Sequence, residues 1–250
     1  MGWFTPECPI DREMKDWIEG SFQWLIEEFG ADTIRNAMTV EASDEFFPDN
    51  FGGDVASVKS VLRRVCGHMG VEYATVELEF YDDEGPGDPH PLAMIEGSGS
   101  NACGLYEFRH NRHVISIGES LLKNPEKLIA KIAHELAHAR LIGEDRLDDE
   151  EDDHEYLADL TTIFFGLGIF TANSLFMFEQ FTNTNYQGWR QQRAGYIEED
   201  TAGYALALYA YLRNETNPAW MNLVNRNVRY YMKKSLKFLE KTNDTSLSKL

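Results

Sequence analysis

Two imidazoles and a carboxylate stand one helical turn apart in His134-Glu135-Leu136-Ala137-His138. Side chains four apart on a helix share a face, so both imidazole nitrogens can reach one ion. Glu135, one residue round, then points at the coordination position that water would take. That combination is the chemistry of a divalent metal with a base beside it. The flanks predict the helix that must carry it. Asn124-Pro125-Glu126 supplies a cap, a proline at the first helical position and an acid in the first turn, and Gly143 supplies a stop, so a helix is expected over about 124–141. Leu128, Ile129, Ile132, Leu136 and Ala139 form its apolar stripe, and Ala130, Ala133 and Ala137 let a neighbouring helix approach closely.

A zinc site needs a third protein ligand, and catalysis needs the fourth position left to water. Downstream stands His154-Glu155-Tyr156-Leu157-Ala158-Asp159. Glu155 and Asp159 are four apart on what reads as the next helix, so one carboxylate can bind the metal while the other orients a ligand histidine. Glu155 is the favoured third ligand, with His154, Asp159 and Glu144 as rivals; only Glu155 has a partner one turn on that explains Asp159.

The H-E-x-x-H pattern followed by E-x-x-A-D resembles the gluzincin metallopeptidases, especially the soluble relatives of the CAAX prenyl endopeptidase group. The resemblance covers about 40 residues of 250. It implies His134, His138 and Glu155 as zinc ligands, Glu135 as general base and Asp159 as the partner that orients His134. This chain departs from that pattern in two ways. The stretch from His138 to Glu155 is short, as a loop between two antiparallel helices would be. No histidine follows His154, so Tyr186, Arg193 or Tyr196 must stabilise the oxyanion, and Tyr196 is the expected catalytic partner of Glu135. The elongated metzincin pattern is absent, because Leu141 stands at its glycine and Glu144 at its third histidine.

A chain of 250 residues, 43% hydrophobic and 26% charged, can bury a core of its own. A formal net charge of −19 argues against nucleic acid or an anionic membrane as partner. Cys8, Cys66 and Cys103 have no C-x-x-C spacing and are odd in number, which reads as reduced thiols. Residues Met1 to Pro6 lack the basic start and apolar core of a secretory signal, so a cytoplasmic location is expected. The one candidate membrane span is 160–178, uncharged throughout but interrupted by glycines and hydroxyls, and it reads instead as a buried helix broken near Gly168 to Asn173.

Elsewhere the pattern is mixed. Met14, Trp17, Ile18, Leu25 and Phe29 make one helical stripe, and Val55, Val58, Leu62, Val65 and Met69 another. Val76, Leu78 and Phe80 alternate with polar partners as a strand does, 82–91 reads as a loop, and 104–109 with 112–117 reads as a hairpin turning at His110-Asn111. The resemblance places Arg112 to Ile117 as the edge strand along which peptide would lie. The acidic residues from Glu144 to Asp153 read as a solvated loop, and the tail 241–250 as frayed.

These expectations combine into one zincin-like α+β domain spanning 1–250. A small mixed or antiparallel sheet lies in lobe 1–118, and lobe 119–250 is mainly helical and carries the metal site. The expected function is a zinc-dependent metallopeptidase acting on a peptide or protein. The alternatives are a regulatory protease of narrow specificity and a catalytically inactive zincin-like binding protein.

Overall fold

The computed structural model describes residues 6–82, 104–148, 153–182 and 197–250. Among them are eight α-helices and one three-stranded sheet, the α+β composition that the sequence predicts. The chain divides into two compact units that interleave along the sequence. One comprises 42–158 and 176–196 and holds the sheet; the other comprises 1–41, 159–175 and 197–250 and is helical in its described residues.

In the sheet unit, Asp54 and Ser57 form a reciprocal capping box that starts the helix α3 (Val55–Met69), and Gly70 ends it in the left-handed region at φ 68°. After a short 3-10 turn comes β1 (Val76–Tyr81). The predicted hairpin is β2 (Gly104–Arg109) and β3 (Arg112–Gly118), turning through His110 and Asn111 at φ 52° and 60°. Two positive φ values make the turn whose twist suits a hairpin. The strand order is β1-β3-β2, with β3 parallel to β1 and antiparallel to β2, and Ile115 sits opposite both Leu78 and Tyr106. This corrects the expected edge role of Arg112 to Ile117. Both sides of β3 are already hydrogen-bonded, and Val114, Ile115, Ser116 and Ile117 are buried, as a central strand requires.

The helix expected over 124–141 is α4 (Pro125–Leu141). Asn124 caps it by accepting from the Lys127 backbone N–H at 3.1 Å, and Pro125 opens its first turn. It packs against α3, β2 and β3. The anticipated apolar stripe is buried, but so is the whole circumference from Leu128 to Ala139. Burying a leucine such as Leu136 contributes roughly 1.5–3 kcal/mol, so this helix is a fixed part of the core. Lys131, His134, Glu135 and His138 are buried with it. Polar groups removed from water in this way require partners.

In the helical unit, α1 (Arg12–Phe29) is capped by Asp11 and stopped by Gly30, and α2 (Ala31–Asn36) follows at once. The helix α7 (Glu199–Leu212), buried at every position from Thr201, packs along α8 (Arg226–Thr242). A Cβ on Gly203 would lie 2.5 Å from that of Tyr231, so only glycine permits this approach. The apolar stretch from Leu160 forms the end of α5 (His154–Phe164) and the start of α6 (Gly168–Thr182). Its break falls at Gly166, earlier than expected. Gly166 takes φ 89°, a Cβ there would run into the Met38 carbonyl oxygen, and its own carbonyl accepts from Val40 N–H at 2.8 Å. Among the described residues no helix is long and apolar enough to cross a membrane.

The tail does not fray. Ser246 donates its backbone N–H and its hydroxyl to Glu19 at 2.9 and 3.0 Å, Leu250 N–H reaches the Leu212 carbonyl at 2.8 Å, and Leu247 is buried. Glu19 is buried in α1 and needs these donors, which a count of polar tail residues does not reveal.

Candidate metal centre

His134 and His138 lie one turn apart on α4, and the first turn of α5 brings Glu155 to them. His134 Nε2 is 2.9 Å from Glu155 Oε2, His138 Nε2 is 3.5 Å from Glu155 Oε1, and the two Nε2 atoms are 3.2 Å apart. The imidazole planes meet nearly edge to face at 80°. Three lone-pair donors therefore converge on one point, with all ligand atoms within 4.8 Å of one another. A tetrahedral zinc ion, with bonds near 2.0–2.1 Å, sets neighbouring donors about 3.3 Å apart. The His134 nitrogen lies 2.9 Å from one Glu155 oxygen and 3.2 Å from the His138 nitrogen, and the other Glu155 oxygen lies 3.5 Å from the His138 nitrogen, all near that value, so the residues fit a metal ion. Both histidines are buried and Glu155 is half-buried. His138 Nδ1 is buried with no hydrogen-bond partner among the described residues, which leaves the polar contacts of this ring to Nε2.

Burial alone would raise the Glu155 carboxyl, but the adjoining His134 and His138 imidazoles outweigh it and hold the group well below the ordinary carboxylate range. Glu155 is thus ionised in the form a metal ligand requires. Glu135 projects one residue round from His134, is also buried, and lies 2.6 Å by Oε1 from the ammonium of Lys131.

Of the rival third ligands, Glu144 is engaged with Arg140 and Arg146, each at 3.0 Å. His154 Nε2 lies 3.6 Å from Glu155 Oε1. Asp159 sits one turn beyond Glu155 on α5, buried, with Oδ2 accepting from Ile197 N–H at 3.2 Å. The donor group found among the described residues consists of His134, His138 and Glu155 alone. Tyr196, Tyr186, Arg193, Cys103 and the acidic residues 149–152 lie outside the described residues, as does most of the loop read over 82–91.

Tyr106 was not singled out by the sequence. From β2 it stacks over His138, with ring centroids 6.2 Å apart at 24°, and its hydroxyl is 3.0 Å from His113 Nδ1. Burial, and then the Glu144 and Glu135 carboxylates, push the Tyr106 phenol well above its ordinary value. Burial lowers His113 against the pull of Glu144. The phenol and the imidazole therefore share a hydrogen bond between neutral groups. Gly143, read from the sequence as a helix stop, also has a packing reason. A Cβ there would collide with the Tyr106 hydroxyl and lie 2.7 Å from both the Ala139 carbonyl and the His113 ring.

Lys131 was missed as well. Its spacing carries a signal, because it is the one lysine or arginine between Leu128 and Ala139 and stands four residues before Glu135. No protein-family profile, curated protein or solved structure matches the chain.

Proposed function

We propose that this chain is a zinc-dependent metallopeptidase. The observation that supports it most is the convergence of His134, His138 and Glu155 within 4.8 Å, with the Glu135 carboxylate on the same turn of the same buried helix. Two imidazoles and one carboxylate are a donor set suited to zinc with a position open to water. When bound, zinc supplies a Lewis acid that brings the pKa of water at its open position towards about 7 and draws charge from a carbonyl oxygen. Glu135 takes the proton as water attacks the peptide carbonyl and returns it to the departing amine. Glu155, held ionised, and the imidazoles of His134 and His138 make up the ligand set. Tyr106, stacked on His138 and bonded to His113, fixes the orientation of that ring.

The substrate on this reading is a peptide or protein. Among the described residues the outer edge of β2 has no strand partner, and β2 packs on α4, so an extended peptide can pair with its backbone beside the site. The net charge of −19 supports a partner that is neither nucleic acid nor an anionic membrane, and a reducing cytoplasm suits the free thiols Cys8 and Cys66.

Elemental analysis with a hydrolysis assay tests the reading. Zinc at one ion per chain is expected in the unaltered protein and in Glu135→Gln, and none in His138→Ala. Peptide hydrolysis should fall by about 10²–10⁴-fold in Glu135→Gln. A zinc-loaded Glu135→Gln protein that hydrolyses peptide at the unaltered rate would refute the assignment of the base.

A further inference from the structure

Lys131 and Glu135 form a buried ion pair inside the helix that carries the metal ligands. The Nζ to Oε1 distance is 2.6 Å, and the side chains are 4% and 3% exposed. Lysine is almost never buried to this degree unless it is paired, and an ion pair taken out of water is often no more stabilising than well-packed apolar residues of the same volume. The neighbours along the stripe, Leu128, Ile132 and Leu136, show that an apolar residue suits this face. Stability is therefore a weak reason for a lysine at 131.

The geometry offers a stronger reason. Lys131 is three residues before His134 and four before Glu135, so it rises from the same face one turn towards the helix start. A glutamate has three side-chain torsions, and a carboxylate that must meet a water molecule gains from having them fixed. A misplacement of about 1 Å can lower a rate on the order of 10²-fold. A buried ammonium on one carboxylate oxygen supplies that constraint through a charge-assisted contact.

We infer that Lys131 is a positioning residue for the general base: its ammonium holds Glu135 by Oε1 and leaves Oε2 to take the proton of the attacking water. This rests on the metallopeptidase reading and adds to it a residue that touches neither metal nor substrate.

Acetohydroxamic acid tests the inference without knowledge of the natural substrate. It binds a metal as an anion, and the proton it sheds needs a well-placed acceptor. The full-length chain is loaded with cobalt, whose visible spectrum reports both metal content and inhibitor binding. One cobalt per chain is expected in the unaltered protein, Lys131→Met, Lys131→Arg and Glu135→Gln. Acetohydroxamate should bind Lys131→Met about tenfold more weakly than the unaltered protein, Lys131→Arg nearly as well as the unaltered protein, and Glu135→Gln most weakly. Unchanged affinity in Lys131→Met overturns the inference, and so does an affinity in Lys131→Arg as poor as in Lys131→Met. A Lys131→Met protein that loses cobalt while Lys131→Arg keeps it marks Lys131 as scaffold, which also overturns the inference. Failure of the unaltered chain to take up cobalt would instead strike the metal reading, before any Lys131 variant is compared.

Discussion

Two carboxylates in this molecule, the buried Glu19 and the half-buried Glu155, are partnered in opposite ways. In the helical unit, Glu19 receives donors from its own chain: the Tyr204 hydroxyl at 2.7 Å, the Ser246 backbone N–H at 2.9 Å and hydroxyl at 3.0 Å, and the Lys15 ammonium at 3.2 Å. In the sheet unit, Glu155 faces His134 Nε2 at 2.9 Å and His138 Nε2 at 3.5 Å, and these two nitrogens also face each other at 3.2 Å. The first cluster is closed, because charge and hydrogen bonds balance within the protein. The second gathers two imidazoles and a carboxylate around a point that a cation fits. A buried polar cluster is thus structural or functional according to whether its donors and acceptors already match.

Zinc should separate the two clusters most sharply. Free zinc at a thousand times its dissociation constant is expected to stabilise the unaltered chain by about 4 kcal/mol. Calorimetric melting with zinc and with a chelator should show that gain in Glu19→Gln and lose it in His138→Ala. A zinc gain kept in His138→Ala would break the contrast.

Glu19→Gln should itself lower the unfolding free energy in urea by about 2–3 kcal/mol at pH 7, since it leaves Lys15 facing a neutral amide. Its pH dependence has a definite sign. Burial raises the Glu19 carboxyl, but the donors from Ser246, Tyr204 and Lys15 prevail and the group is lowered. Its stabilising contribution is therefore complete above the unfolded value of about 4.3 and disappears as the pH falls through the lower folded value. The gap between the unaltered chain and Glu19→Gln should close in acid below about pH 4, and a gap that widened there would contradict the closed-cluster description.

Gly143→Ala should cost about 1–3 kcal/mol by forcing Tyr106 and His113 away from α4. It should also weaken zinc, because the ring stacked on His138 moves. Tyr204→Phe should have the smallest effect, about 1 kcal/mol, with zinc affinity unchanged. A loss of zinc in Tyr204→Phe would show that the two clusters are linked.

The legible parts of the site were those set by local spacing. His134, Glu135 and His138 are placed by one helical turn, and Asn124, Pro125 and Gly143 mark where that turn must lie. Glu155 was within reach because a short connection to α5 limits where it can go. Tyr106, Gly143 as a contact and Gly166 depend on chain segments far away in sequence, so no periodicity announces them. Strand order was hidden for the same reason. Residues 112–117 read as a strand from their own pattern, but only pairing with both Val76–Tyr81 and Gly104–Arg109 makes that strand central. The tail misled because Ser246 and Leu250 find partners in Glu19 and Leu212.

Anomalous diffraction at the zinc edge from zinc-soaked crystals tests the central claim most directly. One peak is expected between α4 and the first turn of α5, with His134 and His138 nitrogens at about 2.0–2.1 Å and a Glu155 oxygen at about 2.0–2.2 Å. Crystals in excess zinc with no peak there, and with the three side chains turned away from one another, would contradict the account.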